Sequence, residues 1–468
     1  MKTPVSSSKP IFKIVTLAVL TALATPPASG QSSKPDPALA GRKADEVNGE
    51  RAAWMKGQWG VMTHYLLAWQ SHEYNLPMTV EQWNRMVDAF DVDGLADQIK
   101  STGATYHILT IGQNSTYLAT PSPVYNELFG TGTNHCSHRD LIADMAAADA
   151  KRGIRLIVYA TSHPFGGSRA IGSTNANPPG DYRNKEQMLA WERVLREWSL
   201  RWGDRISGWW LDGCYTPNRT YNYPDAPNFQ SEAAAVRAGN PLAAVTFNRG
   251  VMDRPISITP YEDYTGGEIN DIETVRPWRV EDGKVDGARM HLLSYLGEKW
   301  GIGEPRYQDL NQIVIPRTLR LLELGGAVTW DTPIRPNGRI PDKFLAQLRA
   351  IGQAVASAPK GTLAELTAMR TAAVTNDFNV VGAALEKYHT DLGRYPTTAE
   401  GLDALTHQPA GPAAGQWHGP YLAEIRPDAF GGQLRYVSPG KSHVGYDLIS
   451  SGPDLEFNTR DDIVAGGR

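Results

Sequence analysis

Ile206-Ser207-Gly208-Trp209-Trp210-Leu211-Asp212-Gly213 is a short apolar run that stops at a carboxylate and a glycine. Two aromatic and two aliphatic side chains fit a buried strand. Asp212 then falls at the strand's carboxyl end, and Gly213 lets the chain turn away. In a (β/α)₈ barrel the carboxyl ends of the strands line the active site. A carboxylate there, beside Trp210, suits sugar chemistry. The indole offers a pyranose an apolar face, and the carboxylate can attack or stabilise an anomeric carbon. An Asp in this position can equally cap the next helix or close a turn.

Outward from this stretch, strand and helix patterns alternate along the chain. Trp59 to Tyr65, Thr105 to Thr110, Ile154 to Tyr159, Ala243 to Phe247 and Gly326 to Trp330 read as buried strands. Phe90 to Thr102, Leu141 to Arg152, Gln187 to Trp202, Ile313 to Leu324 and Pro341 to Ala356 read as helices, with a long loop region before Glu281. This alternation predicts a parallel α/β architecture. By itself it fits a barrel and an open doubly wound sheet alike. The lack of a glycine-rich dinucleotide loop after the first strand weighs against the open sheet.

Composition bounds the rest. The chain has 468 residues, enough for two or three domains. With 46 basic against 50 acidic residues, a formal net charge of -4 and no basic run, nothing marks a nucleic-acid partner. Lys2, Lys9 and Lys13 precede an apolar run from Ile14 to Leu23 and a small-residue stretch to Gly30. Residues 1–30 are therefore expected to be a secretory signal, with an uncleaved anchor as the alternative. Residues 31–45, rich in Ser, Pro and Lys, read as a linker. No later segment is apolar and long enough to suggest a membrane span. Cys136 and Cys214 could pair in an exported protein or remain two thiols, and no Cys/His spacing matches a zinc site. At Ser357-Ala358-Pro359-Lys360-Gly361 the pattern shifts to one long helix, Leu363 to Asp391, then short strands and turns. That shift predicts a second, α+β module, with 46–357, 358–365 and 366–468 as barrel, linker and module.

Residues 50 to 357 resemble the catalytic domain of the family 29 glycoside hydrolases, the α-L-fucosidases. The resemblance is carried in chain order. Gly60-Val61-Met62-Thr63-His64-Tyr65 is similar to that family's Gly-Ile-Phe-Ile-His-Trp strand. Trp209-Trp210-Leu211-Asp212-Gly213 is similar to its nucleophile strand, and Asn248-Arg249-Gly250 to its Asn-x-Arg region. Asp263-Tyr264-Thr265-Gly266-Gly267-Glu268 is similar to its Asp-Phe/Tyr-x-Thr-x-Glu stretch, with the Thr one place early. The resemblance implies a (β/α)₈ barrel and a retaining glycosidase, with Asp212 as nucleophile and Glu268 as acid/base. It implies that His64, Trp210 and Arg249 hold sugar hydroxyls or orient the nucleophile. A core histidine, a packing Trp and a surface Arg are the plain structural alternatives. Glu262, Glu273 and Glu298 are rival acids in loop-like stretches. Gly112-Gln113-Asn114-Ser115-Thr116-Tyr117 departs from the family, which carries a His pair in this slot. Gln113 and Asn114 can still bond hydroxyls with a different donor and acceptor pattern, which leaves the sugar open. The β-sandwich that usually follows the fucosidase barrel is absent.

The stretch that takes its place resembles the major pseudopilin of the type II secretion system. The resemblance runs through Leu385 to Leu402, Pro420-Tyr421-Leu422, Asp428-Ala429-Phe430-Gly431, Tyr436 to Gly440 and Tyr446 to Asp454. No prepilin start or apolar stem directly precedes it. The resemblance implies calcium near the C-terminus, with Asp454, Asp461 and Asp462 as ligands; an acidic solvent-facing loop is the alternative. The signal pattern and these resemblances together imply an exported bacterial glycoside hydrolase, periplasmic or secreted, acting on a carbohydrate, with type II secretion components as partners of the C-terminal module left open. A carbohydrate-binding pseudoenzyme and a structural component of the secretion apparatus are the competing expectations.

Overall fold

The computed structural model describes residues 49–113, 115–130, 134–164, 180–272, 275, 280, 283–409 and 412–467. The expected signal and linker, Asn114 and Glu273 lie outside the described residues. The strands are β1 (Trp59–Thr63), β2 (Tyr106–Thr110), β3 (Arg155–Thr161), β4 (Gly208–Asp212), β5 (Ala244–Phe247), β6 (Lys284–Val285), β7 (Ala288–Arg289), β8 (His291–Tyr295), β9 (Ala327–Thr332), β10 (Arg435–Val437), β11 (Tyr446–Ser450) and β12 (Ile463–Gly467). The α-helices are α1 (Leu67–Tyr74), α2 (Val80–Asp88), α3 (Val92–Thr102), α4 (Pro123–Phe129), α5 (Leu141–Ala150), α6 (Lys185–Trp202), α7 (Pro217–Thr220), α8 (Phe229–Val236), α9 (Val314–Glu323), α10 (Asp342–Ser357) and α11 (Leu363–Leu392).

Among the described residues, seven strands form one parallel sheet in the order β5-β4-β3-β2-β1-β9-β8. Its strands are buried on both faces, which is why they read as unbroken apolar runs. On the outer face Val61, Leu109, Val158, Trp209, Val245, Leu292 and Val328 join the main core under the helices. On the inner face Met62, Ile108, Tyr159, Trp210, Ala244, Leu293 and Ala327 make a second cluster. A sheet with two buried faces, one of them facing itself, is a curled sheet with a filled interior. Helix α3 packs between α5 and α10 on the outside. It starts where the Asp91 carboxylate accepts the Gly94 N–H at 2.8 Å and stops at Gly103, whose φ of 82° suits glycine.

Among the described residues the parallel sheet has seven regular strands of the eight expected for a closed barrel. Residues 263–269 run between the sheet edges without making a regular strand. Asp263 N–H bonds Val245 O at 2.7 Å on one side; on the other, Leu293 N–H bonds Gly267 O at 2.8 Å and Ile269 N–H bonds Leu293 O at 2.9 Å. Gly267 interrupts the ladder. Its φ is +67°, and a Cβ there would lie 2.0 Å from His291 O. Strand β8 and helices α1, α2 and α8 are not legible as elements, although the turns at Gly283 and Gly287 precede β8.

Past α10 the chain crosses a short break into α11, whose Thr362 and Glu365 form a capping box. Val374, Phe378, Leu385 and Tyr388 of α11 pack on Leu405, Phe430, Tyr446 and Leu448. The antiparallel sheet β10-β11-β12 completes this module. It sits on α9. Arg370 Nε meets Glu323 Oε2 at 2.8 Å, the buried Arg320 donates to Pro453 O at 2.9 Å, and the Arg320 guanidinium lies 5.5 Å over the Phe430 ring. Among the described residues, no helix is long and apolar enough to cross a membrane.

Candidate active site

Side chains on a strand alternate between its two faces, so the inner cluster fixes which residues crown the sheet. Two steps beyond Met62 comes His64; two beyond Trp210 comes Asp212; four beyond Ala244 comes Asn248; four beyond Ala327 comes Asp331. All four are buried at carboxyl strand ends.

Asp212 accepts from four directions. Tyr159 Oη donates to its Oδ2 at 2.6 Å, Gln113 Nε2 to Oδ2 at 3.2 Å and Asn248 Nδ2 to Oδ1 at 2.9 Å. Tyr215 Oη stands 3.4 Å from Oδ2. Tyr159 stacks on Trp210, with centroids 4.9 Å apart. Asn248 Nδ2 also lies 2.5 Å from Glu268 Oε2. One amide therefore bridges the two carboxyl groups, and its two short bonds keep those oxygens near each other. Glu268 is pushed up to about 7, by burial first and then by the charge of Asp212; Asn248 and His64 pull the other way. His64 Nδ1 is 2.8 Å from Asp331 Oδ1, and Asp331 Oδ2 accepts the Gly301 N–H at 2.6 Å. Around His64 stand Trp69, Tyr159 and Trp300, at 4.7, 5.6 and 6.3 Å between centroids.

The sequence-derived residues thus divide. Asp212, Glu268, His64 and Gln113 come together. Gln113 Nε2 also donates to Tyr159 Oη. Asn114 lies outside the described residues. Trp210 is 2% exposed and donates its indole N–H to Gly266 O at 3.0 Å, so its ring lies under Tyr159 as a floor. Arg249 is exposed, one step out of phase with the inward Asn248. It lines a small pocket with Met252 and Arg254 against Gly266. Of the rival acids, Glu262 is fully buried and accepts from Ile258 N–H at 2.5 Å, while Glu298 is exposed. Cys136 and Cys214 are buried and free. Tyr159, Asn248, Tyr215 and Asp331 were not singled out from the sequence; strand parity counted from the inner apolar residues reaches three of them.

In the C-terminal module, Asp461 Oδ2 accepts the Asp454 N–H at 3.0 Å, and Asp462 Oδ2 the Asn458 N–H at 2.7 Å. The Asp454 carboxyl is raised by burial and by the neighbouring Asp461 charge. Asp462 is turned onto backbone. Among the described residues, no three His, Cys, Asp or Glu side chains are set to hold a metal ion.

Residues 362–465 match the family described as Type II secretion system (T2SS), protein G. Type II secretion system core protein G of Escherichia coli (strain K12) is 38% identical over 94 residues, or 20% of this chain and 64% of that protein. The chain therefore spans somewhat less than two-thirds of that relative's length. Among solved structures, an endo-fucoidan hydrolase of glycoside hydrolase family 107, MfFcnA4, superposes with a TM-score of 0.51 at 20% identity, covering 66% of this chain and 54% of that one. At that identity the likeness is one of fold. An alpha-L-fucosidase GH29 from Bacteroides thetaiotaomicron superposes with a TM-score of 0.44 at 16% identity, over 70% of this chain and 75% of that one.

Proposed function

We propose that the chain is an exported glycoside hydrolase, α-L-fucosidase-like, that acts by retention with Asp212 as nucleophile and Glu268 as acid/base. The observation that carries this is the single amide of Asn248 joining two carboxyl groups of different character. Retaining enzymes work with carboxyl groups about 5–5.5 Å apart, and the two bonds to Asn248 Nδ2 hold these two oxygens within that order of separation. Residues 263–269 serve, in this proposal, as the eighth stave of a barrel, which puts Glu268 opposite the sheet edge.

The chemistry follows from the environments. Glu268, raised to about 7, holds its proton below neutral pH and in part at neutral pH, and gives it to the leaving oxygen as the glycosidic bond breaks. Asp212, oriented by three close donors, attacks the anomeric carbon and forms a glycosyl ester. Water then attacks the same carbon, its proton passes to the Glu268 carboxylate, and Asp212 departs. His64, fixed by Asp331, and Gln113 stand where sugar hydroxyls would be held. The fucoidan hydrolase of similar fold favours a fucose-containing glycan. A panel of aryl glycosides tests this: turnover of the α-L-fucoside supports it, and turnover of another sugar alone would move the specificity. If no member of the panel is turned over yet sugars bind, the chain is a carbohydrate-binding pseudoenzyme.

For the C-terminal module a second role is proposed, docking to type II secretion components, because it matches the protein G family over 362–465. Export to the periplasm or the medium follows from both proposals. A structural calcium held by Asp454, Asp461 and Asp462 is proposed for this module. It would be favoured by relief of the Asp454–Asp461 repulsion and would require Asp462 to leave the Asn458 N–H.

A further inference from the structure

We infer that Asn248 is a positioning residue that passes one charge-assisted hydrogen bond from Asp212 to Glu268 as negative charge moves between them. The inference rests on the retaining mechanism proposed above. Its geometric basis is independent of any substrate. Asn248 is 1% exposed and Nδ2 donates one hydrogen to Asp212 Oδ1 at 2.9 Å and the other to Glu268 Oε2 at 2.5 Å. The residue cannot readily turn. Its N–H bonds Leu211 O at 2.7 Å, its carbonyl accepts the Cys214 N–H at 2.9 Å, and its side-chain Oδ1 accepts the Gly250 N–H at 3.1 Å. Gly266 closes the remaining side: a Cβ there would lie 3.0 Å from Asn248 Oδ1. A flipped amide would face two acceptors with an acceptor and lose the Gly250 bond, so this orientation is the one the surroundings select.

In the resting state the charge is on Asp212 and Glu268 holds the proton. After glycosyl transfer the Asp212 oxygens belong to a neutral ester and Glu268 is the anion. Hydrogen bonds to ionised acceptors are roughly twice as strong as neutral ones. With both hydrogens already aimed, one bond weakens as the other strengthens, and no group has to move in between. A side chain donating to only one carboxyl would favour one step and penalise the next.

The groups facing Glu268 are Asp212 on β4, Asp331 on β9, His64 after β1, Tyr159 on β3 and Tyr215 after β4. Asp212 and Asp331 oppose its ionisation, and Asn248 and His64 favour it.

The test uses the full chain with Asn248→Ala and Asn248→Ser, the latter keeping a small polar group near Gly250. Carboxyl NMR titration of Glu268 needs no substrate. In both variants its midpoint is expected to move upward from the wild-type position, because a donor that favours the anion is gone. With an aryl glycoside whose leaving group needs no proton, the variants are expected to lose about 10²–10³-fold in kcat/KM, since the Asp212 bond is lost as well. An unmoved Glu268 midpoint, or full activity on the activated glycoside, overturns the inference. If the wild type turns over no glycoside while the midpoint moves in both variants, the double donor stands and the retaining mechanism falls. A purely structural Asn would lower the melting temperature and leave the midpoint in place.

Discussion

Tyr159 donates its hydroxyl hydrogen to Asp212 at 2.6 Å across the adjacent strands β3 and β4. The phenol is fully buried and stacked on Trp210, so the donor is held at a fixed height under the carboxylate. Removing the hydroxyl in Tyr159→Phe keeps the stack and loses the bond. Hydrogen bonds to charged groups contribute about 1.5–3 kcal/mol, so a roughly ten- to hundredfold fall in kcat/KM is expected with an unchanged fold. Kinetics on an aryl glycoside, alongside circular dichroism, check this; full activity would show that Asp212 does not depend on Tyr159.

The pH dependence has a definite sign. Glu268 is raised to about 7 by burial and by Asp212, and the proposed acid form is the protonated one. Activity on glycosides with poor leaving groups is therefore full well below pH 7 and is lost as pH rises through about 7. Glu268→Gln is expected to remove that alkaline limb together with most of the activity; for substrates that need no acid, kcat/KM is spared while kcat falls, because the water of the second step loses its base. A limb that persists in Glu268→Gln belongs to another group.

How far the sequence carried this site depends on periodicity. Trp209 to Asp212 is a short run with one polar terminus, so both the strand and the carboxylate were legible. Glu268 was reached only by resemblance, because Gly266 and Gly267 break the alternation that would have marked a strand. Asn248 and Arg249 stand side by side in the same motif, and only strand parity separates the inner position from the outer one. Asp331 is hidden for another reason. It follows Trp330 in a run buried on both faces, and only the fold brings it to His64, 267 positions away. The contact of Arg370 with Glu323 is not legible in the sequence, since nothing local pairs them.

That contact makes a stability prediction. Glu323 serves both Arg370 and the buried Arg320, and all three are largely shielded from water. Glu323→Ala leaves two cations facing each other, at a cost of roughly 3 kcal/mol. Arg370→Ala leaves Glu323 with Arg320 and is expected to cost less. Denaturant unfolding of the full chain gives the ranking. Equal or negligible effects would mean that the module rests on α9 by apolar contact alone.

Calcium added to the full chain is expected to raise the melting temperature, with about 2.7 kcal/mol of stabilisation when calcium is a hundredfold above its Kd. Asp461→Ala combined with Asp462→Ala should abolish the rise. The same melting temperature with calcium and with chelator in the wild type would dispose of the calcium proposal.

The central claim is that Asp212 is a nucleophile. Its most direct test is hydrolysis of an α-L-fucoside, within a panel of aryl glycosides, by the wild type and by Asp212→Gly, with azide added to the variant. Turnover by the wild type, loss in the variant, and rescue by azide with a glycosyl azide of inverted configuration are expected, since azide would occupy the space of the missing carboxylate and attack in its place. Turnover that survives in Asp212→Gly without azide would contradict it.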